Sequence, residues 1–518
     1  MSAHTAGGDL KLRARRSIPP AFQLVMCLYV LLTGALPQGL QGALYGLPAG
    51  AETAFAVYLL SALAVDALRL APLLILVRNP VGLLHPLVLM VLVWPAINGL
   101  PFIDQQLNGL AGLVSGQPVL APYLNALPGR AAVDIWWGTA AHNGLQALGW
   151  IAAYAVFALT APRARDAGRP IPLGPPADPR LYGLLLVAVG SAVVGALAFV
   201  VLRGGFDAHM QALAGGRFYA LAGLGPILAL LDIGVIAAVV WILSFRGAER
   251  SPVFIAAVVG LAACQFLSNG SRSAALSVAI VLGLAWCLRS GRVPWRAALV
   301  AVPILLAAYG ALTVARTSAW RGQAASASLR QLDLQDALAR AQSDTAARMA
   351  QRGGVPVIME GFDRTGGPLW GRTYVAAAAA MVPRALWPDK PRGPGSTFAR
   401  TFHGSAREGT TIPIGSVGEA WWNFGAPGVV IIFGLFGGMM RLALNLYLRR
   451  PDEPFVAAAY LIFVTQFHVG TEALVRFQQS MLLLGLLWLT YAVIRRRSFR
   501  PVVPVQPRRA STVSMTAR

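Results

Sequence analysis

Three cations lie close together in one unusually stiff stretch of the chain. Arg384, Lys390 and Arg392 occur in the segment MVPRALWPDKPRGPG, residues 381–395, which includes four prolines. Proline fixes its own φ angle and biases the preceding residue towards extended geometry, so this segment has little conformational freedom. Cations on a rigid segment lose less entropy on binding an anion than cations on a flexible one, and Arg can present two parallel donors to a phosphate. The pattern predicts an anion-binding loop or, alternatively, an interfacial loop that contacts lipid headgroups with Trp387 as its anchor.

Two groups that can accept a proton follow this loop. His403 and Glu419 occur in the stretch TFARTFHGSAREGTTIPIGSVGEAWWNFGAPG, residues 397–428. A carboxylate or an imidazole in such a place can take a proton from a hydroxyl group. Glu419, which lies just before a long apolar run, is the first candidate for a general base and His403 is the second. A structural role remains an equal alternative for both residues.

The elements that must position these residues are membrane helices. Hydrophobic residues make up 56% of the chain and charged residues only 12%, a composition far from that of soluble globular proteins. Apolar runs of about 17 to 25 residues, long enough to cross the hydrocarbon layer, predict an all-α polytopic protein with about twelve spans. The predicted spans are 20–39, 53–77, 81–100, 137–161, 181–202, 218–245, 252–268, 273–289, 296–315, 424–448, 454–469 and 476–494.

The distribution of Lys and Arg predicts the orientation of these spans. The net charge is +22. Along the chain, connections between spans that are rich in Lys and Arg alternate with connections that have few of these residues. Because short cytoplasmic loops retain Lys and Arg, both termini are expected in the cytoplasm, with the basic inner rim close to anionic lipid. No nucleic-acid-binding motif accompanies the basic residues. The predicted divisions are a basic N-terminus (1–19), nine spans (20–315), a large outward loop (316–423), three spans (424–494) and a disordered basic tail (495–518).

The outward loop is expected to be partly helical. Residues 328–352 predict an exposed helix that Ser328 caps and Gly353 ends. Residues about 371–382 predict a second, Ala-rich helix that lies on or dips into the membrane surface. This second helix leads directly into the proline-rich loop.

Ionisable residues inside the spans leave an alternative function open. Asp66 and Arg69 lie on one face of the second span and are expected to pair with each other or with Asp232. Such charges are costly in lipid, so they indicate a structural ion pair, a wall of a substrate cavity or the proton relay of a transporter. The lone residues His85 and His142 are interpreted as core or interface residues.

Four short motifs give the chain a resemblance to a known family. They are SNGSRS (268–273), GRTY (371–374), VPRALWPDKP (382–391) and GSVGEAWWNFGAPG (415–428). In order and spacing they resemble those of the Wzy-type polymerases of oligosaccharide repeat units in O-antigen and exopolysaccharide assembly. The resemblance covers roughly residues 180 to 490 and depends most on the proline-rich loop and the Gly-Glu…Asn-Phe-Gly element.

The resemblance implies a GT-C-like membrane glycosyltransferase on the periplasmic face of the bacterial inner membrane. It implies that the donor is a growing glycan on undecaprenyl diphosphate and the acceptor a single lipid-linked repeat. A polysaccharide co-polymerase and a flippase are the partners it implies. No cofactor and no metal are expected, since the outward acidic residues show no close carboxylate pair and Asp104 is at most a lone ligand.

Roles for individual residues follow from combining this resemblance with the electrostatics. The leaving diphosphate gains negative charge in the transition state, so preorganised cations aimed at it would contribute the largest catalytic effect. The candidate diphosphate ligands are Arg384, Lys390, Arg392, Arg272 and Arg372, followed by the weaker candidates Arg316 and Arg321. Glu419 or His403 would deprotonate the acceptor hydroxyl.

Two other functions share part of this evidence. A ligase that transfers the finished glycan from the same carrier would have nearly the same sequence features. A lipid-linked oligosaccharide flippase or another transporter is expected to show internal repeats and interrupted midplane helices, and the sequence shows no repeat.

Overall fold

A computed structural model gives the architecture of the chain. The described residues are 16–33, 35–47, 49–90, 132–160, 178–220, 225–270, 272–292, 295–330, 358–359, 361–362, 367–382, 386–387, 389–403, 414–467 and 469–497.

Helices make up nearly all of this described part. In chain order they are α1 (Pro20–Thr33), α2 (Ala35–Tyr45), α3 (Glu52–Ile75), α4 (Ala132–Leu159), α5 (Pro179–Leu202), α6 (Gly205–Ala220), α7 (Gly225–Ser244), α8 (Pro252–Asn269), α9 (Arg272–Ser290), α10 (Trp295–Trp320), α11 (Ala325–Arg330), α12 (Arg372–Ala378), α13 (Pro394–His403), α14 (Gly415–Arg449), α15 (Pro454–Gln466) and α16 (Thr471–Arg497). Short 3-10 turns occur at Gly82–Leu84, Ala248–Arg250 and Ala379–Met381. Two-residue strands, β1 (Arg16–Ser17) and β2 (Arg78–Asn79), form one antiparallel pair.

Several of these helices are suited to cross a membrane. Within the described residues, five helical segments are long and apolar enough: Glu52–Ile75, Pro179–Leu202, Ile227–Ser244, Gly415–Arg449 and Ala473–Arg496. Shorter apolar segments of α1, α8, α9 and α15 accompany them. The protein is therefore an all-helical, multi-pass membrane protein. The count of about twelve spans remains a prediction, and most of the predicted span 81–100 lies outside the described residues.

Some element boundaries differ from those that the sequence predicts. The predicted span 20–39 covers α1 and only the first residues of α2, which continues to Tyr45; residue 34 lies outside the described residues. The predicted span 218–245 covers the last residues of α6, which begins already at Gly205, and nearly all of α7; residues 221–224 between them lie outside the described residues. The helix predicted at about 371–382 is confirmed by α12 and the 3-10 turn after it. The predicted helix 328–352 begins within α11, and its remainder from residue 331 lies outside the described residues.

The helix α14 differs most from its prediction. It begins at Gly415 rather than at 424, so the GSVGEAWWNF segment is helical. The mixture of Glu, Asn and Trp in this segment hides it from a hydropathy criterion, although it forms a helix whose buried residues include Glu419 and Trp422. The predicted start at 424 thus lies next to Gly425, whose non-helical backbone divides this element into two parts.

Small residues allow α14 to pack very closely against α4. An added Cβ at Gly437 would overlap the backbone carbonyl of Ala153, and one at Gly149 would lie 2.9 Å from the ring of Phe433. Gly and Ala at such contacts let two membrane helices approach without side chains between their backbones. Because Gly149 faces Phe433 and Ala153 faces Gly437, the two helices run in the same direction.

A second close pair, α5 and α7, runs in opposite directions. Near one end, Tyr182 packs edge-to-face on Trp241 at 5.2 Å between ring centroids. Towards the other end, a Cβ at Gly195 would lie 2.8 Å from the side chain of Leu230. Together with α8, α9, α15 and α16 these helices enclose the largest apolar core of the described residues.

Several helix ends at one side of the bundle are joined by contacts between their side chains. Tyr491 of α16 donates a hydrogen bond of 2.7 Å to Asp178, which precedes α5. Arg289 of α9 forms a 2.6 Å ion pair with Glu249 and donates to carbonyl oxygens at the end of α7. Phe455, at the start of α15, stacks on Tyr491. The start of α14 and the start of α16 lie at the opposite end, where the candidate site is found.

Candidate functional site

A break in α14 creates the site. Gly425 has a φ of 66° and a ψ of −160°, values that divide the element into an upper part, residues 415–424, and a long lower part. A positive φ is easily adopted by glycine and costly for other residues. Pro427, two residues later, has no N–H to donate to the carbonyl of Asn423. The break therefore leaves carbonyl groups at the end of the upper part open to other donors.

The chain segment before α12 provides those donors. The N–H of Leu369 donates to the carbonyl of Trp422 at 3.0 Å, and the N–H of Trp370 donates to that of Asn423 at 3.1 Å. Helix ends need such partners for carbonyls that have none inside the helix. These bonds fix the GRTY segment, residues 371–374, to the GEAWWNFG segment, residues 418–425. Two motifs that are far apart in the sequence thus meet at one point.

A buried side-chain link strengthens this junction. Asn423 is fully buried, and its Nδ2 donates to Thr373 Oγ1 at 2.8 Å and to the carbonyl of Glu419 at 2.8 Å. Thr373 is also buried. Buried hydrogen bonds of this kind are costly to break because a lone donor is left without water. The link holds α12 against the upper part of α14.

Glu419 lies at the centre of the junction. Its side chain is 2% exposed, and Oε2 accepts a hydrogen bond of 3.0 Å from the N–H of Thr471. Thr471 is the first residue of α16, so the carboxylate lies at a helix N-terminus, where the helix dipole favours negative charge. An added Cβ at Gly470 would lie 3.6 Å from Oε2, which shows how closely the backbone surrounds this group. The geometry supports a carboxylate that is fixed in position and sheltered from water.

Tyr374 adds a hydroxyl group beside this carboxylate. Its ring stacks on Phe424 with centroids 6.2 Å apart and planes within 10° of parallel. Its Oη is buried and has no hydrogen-bond partner among the residues that the structure describes. Burial and the negative charge of Glu419 raise the pKa of Tyr374, so the hydroxyl stays protonated and remains a donor. A buried donor next to a buried carboxylate is typical of a site that binds a polar group.

The cations of the proline-rich loop occupy different positions. The Nζ of Lys390 donates to the carbonyl oxygens of Val382 (2.9 Å), Ala380 (3.3 Å) and Ala379 (3.4 Å). In this arrangement Lys390 caps the 3-10 turn that follows α12, as cations commonly do at the ends of helices. Arg392 and Arg372 are exposed, and Arg372 begins α12. Arg384 lies outside the described residues.

The remaining candidate residues lie on or next to other helices. Arg272 is the first residue of α9 and His403 the last of α13, and the side chains of both lie outside the described part. Arg316 is half-buried in the last turns of α10, while Arg321 follows that helix and is exposed. The end of α10 packs with Met210 and Phe266 in a cluster separate from the residues around Glu419.

The structure also shows what holds the charges within the spans. Asp66 pairs with Arg69 at 3.2 Å and accepts a hydrogen bond of 3.0 Å from the N–H of Ala35, the first residue of α2. This is one of the two pairings that the sequence predicted, and it does not involve Asp232. Asp232 accepts hydrogen bonds from the amides of Gln265 (3.3 Å) and Gln479 (3.0 Å). Asp66 thus helps to join α2 to α3, and Asp232 joins α7 to α8 and α16.

Sequence reasoning found part of this site. Glu419 was the predicted base, and the motifs of the resemblance contain Thr373, Tyr374 and Asn423 without indicating a role for them. Thr471 is part of no motif, and only the fold brings it to Glu419.

Within the described residues, no three His, Cys, Asp or Glu side chains come together in a group that could hold a metal ion. Asp104 lies outside them. No family model, no curated protein and no solved structure matches the chain.

Proposed function

We propose that the protein is a membrane glycosyltransferase that polymerises oligosaccharide repeat units carried on undecaprenyl diphosphate. The observation that carries this proposal is the junction at Gly425, where the GRTY segment meets the segment containing Glu419. These are two of the four motifs on which the resemblance to Wzy-type polymerases depends. The proposal locates the reaction on the periplasmic face of the inner membrane, with both termini in the cytoplasm.

The proposed reaction uses the buried carboxylate as a base. A hydroxyl of the acceptor repeat attacks the anomeric carbon of the donor glycan and forms the new glycosidic bond. The bond between that carbon and the diphosphate oxygen breaks, and its electron pair leaves with the diphosphate. Glu419 takes the proton of the attacking hydroxyl. His403 is the alternative base.

Cations would stabilise the leaving group in this scheme. The diphosphate gains negative charge as the bond breaks, so positive groups fixed nearby lower the barrier. Arg372 supports this role best among the described residues, since it is exposed and adjoins Thr373 in the junction. Arg384 and Arg392 belong to the same loop. Lys390, whose ammonium group contacts three carbonyls, is proposed to hold the loop in place and to reach the diphosphate only if those contacts open.

The experiment that tests this function is a glycan profile of a deletion strain. The strain is complemented with the wild-type chain, with Glu419→Gln or with Glu453→Gln. Glu453 is a matched control because it lies at the opposite end of the bundle in an exposed pair with Arg450. The level of each variant in the membrane is measured in parallel.

The proposal predicts that Glu419→Gln abolishes the polymer while single capped repeats persist, and that Glu453→Gln preserves the normal ladder. Long carrier-linked chains in the deletion strain would instead indicate a ligase. Loss of all surface glycan, with repeats retained on the cytoplasmic side, would indicate a flippase. A normal ladder with Glu419→Gln would exclude Glu419 as the base.

A further inference from the structure

The outer segment around α12 exposes an apolar face that no described residue covers. On α12 and the turn after it, the exposed positions are Arg372, Val375, Ala378 and Met381, which recur every third residue. The positions between them face inwards, and Thr373, Ala376 and Ala377 are buried. Three of the four exposed positions are therefore apolar, whereas a helix that lies in water exposes mainly polar side chains.

Large side chains in the segments next to α12 are also exposed. Trp370 is 76% exposed and Leu386 is 78% exposed, and Trp387 is exposed beside them. Cations are interspersed at Arg372 and Arg392, both of which are exposed. We call the set of Trp370, Val375, Met381, Leu386 and Trp387 the apolar rim.

The backbone of Trp370 shows that this exposure is imposed by the fold. Its φ is 48°, the only positive φ among the non-glycine residues that the structure describes. A bulky residue rarely adopts this conformation, and it persists only where the surrounding structure enforces it. The hydrogen bond from Trp370 N–H to Asn423 and the fit of Gly371 against the Phe424 ring, where a Cβ would lie 2.9 Å away, do so here. The strained backbone thus turns an indole ring out of the protein.

The surroundings of the apolar rim indicate what covers it. Phe424, which stacks on Tyr374, is itself exposed, and the lower part of α14 goes on to expose Val430, Ile431 and Leu435. Those residues belong to a segment long and apolar enough to cross the membrane, so their exposed side meets lipid tails. The apolar rim lies at the end of this lipid-facing side that is nearest to Phe424. Tryptophan with Arg nearby is the composition that favours the interface between tails and headgroups.

We propose that the apolar rim is seated in the membrane interface, at the end of the bundle where Glu419 lies, with Arg372 and Arg392 towards anionic headgroups. The partner is the lipid surface itself. Short amphipathic helices bind such surfaces through apolar area on one face and cations at the edge. Glu419 would then lie close to the depth at which a lipid-borne headgroup is found. The proposal does not depend on the polymerase function.

Nitroxide labelling measures this placement directly. Cys27, Cys264 and Cys287 are replaced by alanine, and single cysteines are introduced as Val375→Cys or Met381→Cys. The labelled protein is reconstituted in vesicles of phosphatidylethanolamine and phosphatidylglycerol. Collision rates with oxygen, which concentrates in lipid, and with a water-soluble nickel chelate are then compared. Leu435→Cys is the lipid control, and Arg400→Cys and Arg450→Cys, at exposed charged positions, are the water controls.

The proposal predicts an oxygen-to-nickel collision ratio at Val375 and Met381 several-fold above that of both water controls and towards that of Leu435. A ratio equal to the water controls would place the apolar rim in water and overturn the proposal. Exclusion of both reagents would also overturn it, because a protein surface would then cover the rim. Neither of these outcomes bears on whether Glu419 acts in polymerisation.

Discussion

Removing the hydroxyl of Thr373 tests whether the buried link holds α12 to α14. The change Thr373→Val keeps the shape of the side chain but deletes the acceptor that Asn423 Nδ2 reaches at 2.8 Å. Leaving a buried amide donor unsatisfied costs about 1–3 kcal/mol. Since about 1.4 kcal/mol is a factor of ten in an equilibrium, separation of the two segments should become roughly 5- to 150-fold more frequent.

Hydrogen exchange at two backbone amides measures that separation. The N–H groups of Leu369 and Trp370 donate to carbonyls at the end of the upper part of α14, so they exchange when the junction opens. Their exchange should accelerate by the same roughly 5- to 150-fold in Thr373→Val. Thr490→Val is the matched control, because its hydroxyl is exposed and bonds only to the carbonyl of Leu486 in its own helix.

Two results would contradict a local role for the Thr373–Asn423 bond. Unchanged exchange at Leu369 and Trp370 would mean that the Thr373–Asn423 bond contributes nothing to the junction. An equal acceleration throughout α4 and the lower part of α14 would mean that the variant destabilises the whole bundle. In that case the junction would have no local stability of its own.

Three further predictions concern packing, the loop and the site. Gly437→Ala should destabilise the bundle by about 1–3 kcal/mol, because the added carbon overlaps the carbonyl of Ala153, whereas Gly485→Ala, which meets nothing within 4 Å, should be neutral; thermal unfolding in detergent compares them. Lys390→Met should loosen the loop by removing the cap on three carbonyls, so cleavage by thermolysin on the N-terminal side of the exposed Leu386 should accelerate, while Arg392→Met, at an exposed position, should leave the cleavage rate unchanged. Tyr374→Phe keeps the ring on Phe424 and should lower polymer formation about tenfold or more at an unchanged membrane level. Burial and Glu419 raise the pKa of Tyr374, so the hydroxyl stays protonated and the defect should be the same from about pH 6 to pH 9; a defect that disappears towards pH 9 would contradict this role.

Local patterns in the sequence were sufficient to predict much of the fold. Long apolar runs identify α3, α5 and α7, because a membrane span needs length and hydropathy and little else. The Asp66–Arg69 pair follows from their spacing on one helix face, which brings side chains three residues apart together. The helix α12 was predicted from its run of alanines.

Features that depend on tertiary contacts were not predictable in the same way. The upper part of α14 is too polar for a hydropathy criterion, and only its burial against α12 and α16 explains why it is helical there. Thr471 reaches Glu419 across 52 positions of the chain without any motif. The contact of Lys390 with three carbonyls likewise depends on how the loop turns back on α12. Charge alone had suggested an anion ligand at that position.

Reconstitution of the purified protein shows whether the chain itself polymerises lipid-linked repeat units and whether Glu419 is needed. Vesicles that contain the wild-type chain or Glu419→Gln receive undecaprenyl-diphosphate-linked repeat units as the only substrate, and polymer length and released undecaprenyl diphosphate are both measured. With the wild-type chain we expect one carrier diphosphate to be released for each new linkage, and with Glu419→Gln we expect neither product. Absence of polymer with the wild-type chain, or polymer at the same rate with Glu419→Gln, would contradict the proposed reaction.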